Sequence, residues 1–119
     1  MMEVFVSIRF EAALRLPEAP AGSKAGRLHG HSFEAEIWVA GDVGDQTGWV
    51  MDFAELRRLV APVVEALDHQ YLNDIPGLEN PTAPAIAGWI FDRLRPDVPG
   101  LVRVALRDPE GGAVVRRPD

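Results

Sequence analysis

The chain predicts an α+β domain in the order strand, strand, helix, helix, strand, strand. Three observations carry this reading. Residues 3–10 and 31–40 alternate apolar and polar side chains with the period of a β-strand. Residues 52–67 switch to helical spacing, and a second helical pattern opens near Thr82. Two short apolar runs flank a Pro/Gly turn near the end of the chain. A sheet with both helices inserted in its middle buries one face against them.

Each element has a local reason. Val4, Val6, Ile8 and Phe10 share one face of the first strand; Phe5, Ser7 and Arg9 share the other. Residues 11–16 continue it toward Pro17, and the Pro/Gly content of residues 17–26 makes a loop. The second strand sets Phe33, Ala35, Ile37 and Val39 against Glu34, Glu36 and Trp38. Asp52 is a good N-cap, and Glu55 three residues on suggests a capping box. Phe53, Leu56, Leu59, Val60, Val63, Val64 and Leu67 mark the inner stripe, with a kink expected at Pro62. Residues 71–81 read as a loop. The second helix carries Ile86, Ile90 and Leu94 inward, tolerates Pro84 in its first turn and ends at Pro96. Residues 101–106 and 113–116 are the last strands, joined by the turn Asp108–Gly112. Trp38, Trp49 and Trp89 read as packing residues. The outer strands are left as edges, which invite pairing with further copies.

Bulk properties narrow the function. A chain of 119 residues suits one domain, here residues 1–119, and 47% apolar content suits a folded core. Net charge is −6 with no basic run, which argues against wrapping nucleic acid. With no cysteine, disulfides, thiolate zinc sites and thiol nucleophiles are excluded. No signal-peptide pattern opens the chain and no apolar run approaches a membrane span. A soluble cytoplasmic protein is expected.

Two of the three histidines, His29 and His31, stand two residues apart where the second strand begins. On a strand they share a face, so their imidazoles can converge on one point, as a metal pair must. A catalytic zinc takes about three protein ligands plus water. Two histidines leave the set incomplete.

Five segments together resemble the 6-pyruvoyl-tetrahydropterin synthase family, and within it the bacterial 6-carboxy-tetrahydropterin synthases of queuosine biosynthesis. They are Phe10–Ala13, Leu28–Phe33, Thr47–Phe53, Leu67–His69 and Gly77–Thr82. The resemblance implies the tunnelling fold (T-fold), a β-barrel closed by several copies, usually a hexamer, with sites between subunits. It implies zinc on three histidines, of which His29 and His31 match two; the third position is Leu14. The family's catalytic cysteine position is Ala25. Its Asp-His proton-transfer pair matches Asp68 and His69. Its pterin-gripping glutamate matches Asp108, with Glu110 the alternative in the same turn. Thr82 and Ala83 fall where main-chain groups read the ring, and Lys24 and Arg27 are candidate partners for a substrate's phosphates. Glu11 could replace the missing zinc ligand only if a bulge turned it to the histidines' face.

Two zinc ligands, the Asp-His pair and a carboxylate anchor are kept, while one ligand and the cysteine are replaced. The expectation is a homologue that binds a pterin-like ring without zinc and without the family's reaction. The alternative is a working zinc-dependent lyase acting on dihydroneopterin triphosphate. A ring with a structural role only is the third class.

Overall fold

The computed structural model describes residues 1–118. Its elements are β1 (Met2–Leu14), β2 (His29–Gly41), α1 (Phe53–Leu67), β3 (Gln70–Tyr71), α2 (Ala83–Leu94), β4 (Leu101–Asp108) and β5 (Gly111–Arg116). They form one five-stranded sheet in the order β3-β1-β2-β4-β5. The four expected strands and two expected helices are all present, so the α+β reading stands. β3 lies outside the expected set. It pairs parallel to β1 at Ala12 and Ala13, where the end of the first helix is expected to pass into a loop at Tyr71. Two residues are too few to show a period, so tertiary pairing decides this strand.

β1 and β2 pair antiparallel from Met2↔Gly41 to Leu14↔His29, so both run further toward the histidines than alternation alone marks. Residues opposite each other on such a ladder share a face. Phe10 with Phe33, Ala12 with His31 and Leu14 with His29 therefore point one way, and Glu11 with Ser32 the other. The first face is the core face. Val6, Phe10, Phe33 and Ile37 are buried on it, packed with Leu56, Val60 and Leu67 of α1 and Ile86, Ile90 and Leu94 of α2. The Phe10 and Phe33 rings stack at 5.0 Å. Each such side chain contributes about 1.5–3 kcal/mol by leaving water.

Asp52 caps α1, its Oδ1 accepting the Ala54 N–H at 3.1 Å. Glu55 does not complete a capping box. It pairs with Arg58, whose Nε donates to Oε2 at 2.9 Å. A cation one turn along the helix competes for that carboxylate. The helix continues through Pro62 to Leu67. Phe53, expected on the inner stripe, is half exposed and shares a surface cleft with Met2, Val43 and Trp49.

The sheet keeps two edges in the single chain. β3 covers β1 only at Ala12–Ala13, and β5 ends the other side. Arg57 Nη1 donates to the Ser7 carbonyl at 3.2 Å, which blunts part of the β1 edge. Among the described residues no helix is long and apolar enough to cross a membrane.

Candidate functional site

A cavity of about 280 Å³ opens at the end of the core face where β1 stops and β2 starts. Five stretches of chain meet there. Leu14 comes from β1 and His29 and His31 from β2; Lys24 and Ala25 come from the intervening loop. Thr82 and Ala83 come from the start of α2, and Asp108 and Glu110 from the β4–β5 hairpin. Nine of the positions singled out in the sequence thus border one space, which Phe33, Leu16 and Pro81 complete. Those three apolar residues carry no chemical signal in the sequence, only a place in the register.

The two imidazoles converge. His29 Nε2 and His31 Nε2 lie 3.1 Å apart. His29 Nδ1 is 2.7 Å from the Arg27 carbonyl, an acceptor, so Nδ1 carries the proton and Nε2 presents its lone pair. In the neutral pair, His31 Nε2–H then donates to His29 Nε2. The His31 ring stands edge-on to Phe33 at 5.7 Å. Arg27 thus acts here through its main chain. Its guanidinium turns back to the Gly22 carbonyl at 3.1 Å and does not line the cavity.

Zinc, implied by the resemblance, fits this donor set poorly. Leu14 is buried directly opposite His29 and offers no lone pair. Glu11 faces the other side with Ser32, whose Oγ donates to Glu11 Oε2 at 2.6 Å, and no bulge turns it. Among the described residues no group of three or more His, Asp or Glu side chains is placed to hold a metal ion. The set is one ligand short of the usual catalytic zinc.

At the hairpin, Asp108 closes its own turn. Its Oδ1 accepts the N–H groups of Glu110 at 2.8 Å and Gly111 at 3.0 Å. Asp108 Oδ2 makes no hydrogen bond among the described residues. Gly112 is required, because a Cβ there would sit 2.1 Å from the Leu106 carbonyl oxygen. At the start of α2, Thr82 Oγ1 accepts the Ala85 N–H at 3.3 Å and fixes the helix end against the cavity.

Asp68 and His69 lie elsewhere. His69 borders a wider cleft of about 630 Å³ with Glu11, Ser32, Gln70 and Tyr71; His31 borders both spaces. Asp68 Oδ1 accepts the Glu11 N–H at 2.9 Å and lies 3.0 Å from His69 Nδ1. The Glu11 N–H first, and the His69 hydrogen bond second, hold the Asp68 carboxyl below its usual range. One chain therefore keeps the Asp-His pair out of the cavity that holds His29. Ser32 and Tyr71, which the sequence did not single out, join Glu11 at this cleft through the register.

A lowered carboxylate pKa has a signed consequence. The Asp68 link stabilises the fold above the carboxylate's ordinary pKa and is lost as pH falls through its lowered one. Acid unfolding of Asp68→Asn should therefore depend less on pH in the range below the usual carboxylate pKa. Superimposable acid titrations of the two proteins, followed by circular dichroism, would contradict this.

His69 also carries the one non-glycine positive φ among the described residues, +59°. Its side chain is 76% exposed, so packing does not compensate the left-handed backbone. His69→Gly should raise stability by up to about 0.5 kcal/mol, the left-handed penalty less the entropy of glycine and less the exposed contact with Asp68. A lower unfolding midpoint in urea would refute the strain.

The fold and the site together define a two-layer α+β protein whose cavity closes where the first two strands, the second helix and the last hairpin meet. The family model "6-pyruvoyl tetrahydropterin synthase" matches residues 3–118. The chain is 48% identical over 107 residues to the 6-carboxy-5,6,7,8-tetrahydropterin synthase of Synechocystis sp., covering 85% of this chain and 81% of that protein. It is 46% identical over 77 residues to the dihydroneopterin monophosphate aldolase of Pyrococcus furiosus, covering 65% and 64%. The solved 6-pyruvoyl tetrahydropterin synthase of Caenorhabditis elegans superposes with a TM-score of 0.87 at 21% identity, over 98% of this chain and 96% of that one. This chain belongs to the 6-pyruvoyl tetrahydropterin synthase family.

Proposed function

We propose that this protein binds a pterin-type bicyclic ring in the cavity between His29, His31 and the β4–β5 hairpin, and does not carry out zinc-dependent lyase chemistry there. The observation that carries the reading is the split within one cavity. Ring-reading groups are present: Asp108 Oδ2, the start of α2 at Thr82 and Ala83, and an apolar wall of Phe33 and Leu16. The chemical groups are short by a donor at Leu14 and a proton-transferring thiol at Ala25. The ring's amino-pyrimidine edge would donate to Asp108 Oδ2, and Lys24 would face an anionic side chain. The site is assembled between copies in a ring-shaped oligomer, probed below by mass, because Asp68 and His69 sit on a cleft apart from this cavity.

A second reading has its own observation. Two imidazole nitrogens on one tetrahedral zinc lie about 3.3 Å apart, near the 3.1 Å found between His29 Nε2 and His31 Nε2. That spacing, with His29 Nδ1 fixed on a carbonyl, suits a retained metal whose third ligand is water or another group, and hence the lyase named for the Synechocystis relative.

One set of measurements separates the two. Metal analysis after dialysis, quenching of neopterin fluorescence and light scattering are run on the same preparation. Neopterin binding without stoichiometric zinc, in an oligomer, supports the first reading. One zinc per chain with turnover of dihydroneopterin triphosphate supports the second and overturns the first. A monomeric mass at micromolar concentration overturns the shared site.

A further inference from the structure

A cleft of about 370 Å³ at the far end of β4 and β5 gathers three arginines around one carboxylate among the described residues. Glu3, Val102, Arg103, Arg116, Arg117 and Pro118 line it. We propose that it binds a phosphate-class anion. The β4–β5 register makes Arg103 and Arg116 direct partners across the ladder. Like charges directly opposite destabilise a sheet. Arg117 N–H donates to the Val102 carbonyl at 2.8 Å, which anchors a third arginine beside them.

The counter-charge is one carboxylate. Glu3 Oε1 accepts from Arg103 Nη2 at 2.7 Å. Arg103 lies over the Trp38 ring at 4.1 Å, and its Nε is buried without an acceptor. No carboxylate among the described residues forms an ion pair with Arg116 or Arg117. Three of the chain's 12 basic residues thus meet around one glutamate, in a protein of net charge −6. A tetrahedral oxyanion with several acceptors can take paired N–H bonds from two guanidiniums at once, which a halide cannot.

This cleft is separate from the imidazole cavity. The two share no lining residue. Arg103 and Asp108 both lie on β4 but five positions apart, on opposite faces and about 17 Å along the strand. The anion is therefore not the side chain of a ring held at Asp108 in the same chain. The proposal stands whether or not a pterin binds there.

The test is thermal unfolding of the full chain in sodium phosphate against sodium chloride of equal ionic strength, with isothermal titration calorimetry using inorganic phosphate and a nucleoside monophosphate. Phosphate should raise the melting temperature more than chloride does, by mass action on the folded state. The variant Arg116→Gln/Arg117→Gln should melt no lower than the parent without phosphate, because repulsion is relieved. Its phosphate response should vanish, with affinity down about tenfold or more, the effect of losing a charge-assisted hydrogen bond. Arg117→Gln alone, which leaves the Arg103–Arg116 pair, should fall between the two. Tighter binding of the nucleoside monophosphate marks the phosphate of a larger ligand, and equal affinities mark the free ion; both support the site. Equal shifts in phosphate and chloride, or an undiminished response in the double variant, would overturn it.

Discussion

The double variant Leu14→His/Ala25→Cys is expected to acquire one zinc per chain and to turn over dihydroneopterin triphosphate at least about 10²-fold faster than the parent. Leu14 is buried opposite His29, on the face that carries both imidazoles. A histidine there would bring a third nitrogen toward the point where His29 Nε2 and His31 Nε2 converge. Three donors meet the requirement of a catalytic zinc, and each ligand carries several kcal/mol of affinity. Ala25 borders the same cavity, so a thiol at that position reaches the ligand. Positioned proton transfer is typically worth 10²–10⁴-fold. Neither single change should suffice: Ala25→Cys would still be one zinc ligand short, and Leu14→His would lack the thiol. The buried imidazole should also lower the double variant's stability without metal, because a polar ring replaces an aliphatic side chain. Added zinc should restore it, since a ligand of the folded state stabilises that state. A parent protein already holding stoichiometric zinc at full activity would end this account. So would a zinc-loaded double variant no faster than the parent.

Asp108→Asn is expected to weaken neopterin binding by about 1.5–3 kcal/mol, the worth of hydrogen bonds to a charged acceptor. The carboxylate serves two masters. Oδ1 holds the hairpin through the N–H groups of Glu110 and Gly111, and Oδ2 would meet the ring. Asparagine can keep the turn with its amide oxygen, but it then presents an NH₂ donor to the ring's own N–H groups. The fold should survive while affinity falls, which calorimetric titration and a melting curve read separately. With one oxygen committed to the turn, Asp108 would grip the ring at one point. Glu110 borders the same cavity and carries the second carboxylate of the hairpin. Glu110→Gln should cost less than Asp108→Asn. The reverse order would move the anchor to Glu110, and equal affinities across all three proteins would remove the pterin from this cavity.

The strands were legible in the sequence because alternation reports a half-buried sheet directly. Val6, Phe10, Phe33 and Ile37 fell on the face that is in fact buried. The α1 cap was legible because Asp52 satisfies its own helix locally. What failed was settled by competing partners, some distant and some within a turn. Gln70–Tyr71 becomes a strand only because β1 offers an open edge at Ala12–Ala13. Glu55 was drawn from its capping box by Arg58, and Phe53 left the core stripe for an exposed cleft with Trp49. The gathering of Lys24, Thr82 and Asp108 around the histidines came from matched motifs; no periodicity links positions so far apart. The arginine cleft had no motif at all. It exists because the β4–β5 register sets Arg103 against Arg116.

The short strand β3 has a kinetic meaning. The Glu11 N–H donates to the Asp68 carboxylate and the Glu11 carbonyl accepts the His69 N–H, which closes a span of more than fifty residues, beside a parallel ladder only two residues long. Long-range closures of this kind form late in folding, and so small a seam can open without the rest of the sheet. The long β1–β2 ladder and its two converging imidazoles belong to the stable part of the molecule. The Asp-His pair sits at the two-residue seam instead, where the buried Leu67 and Leu72 on either side, more than the ladder itself, hold the segment against the core.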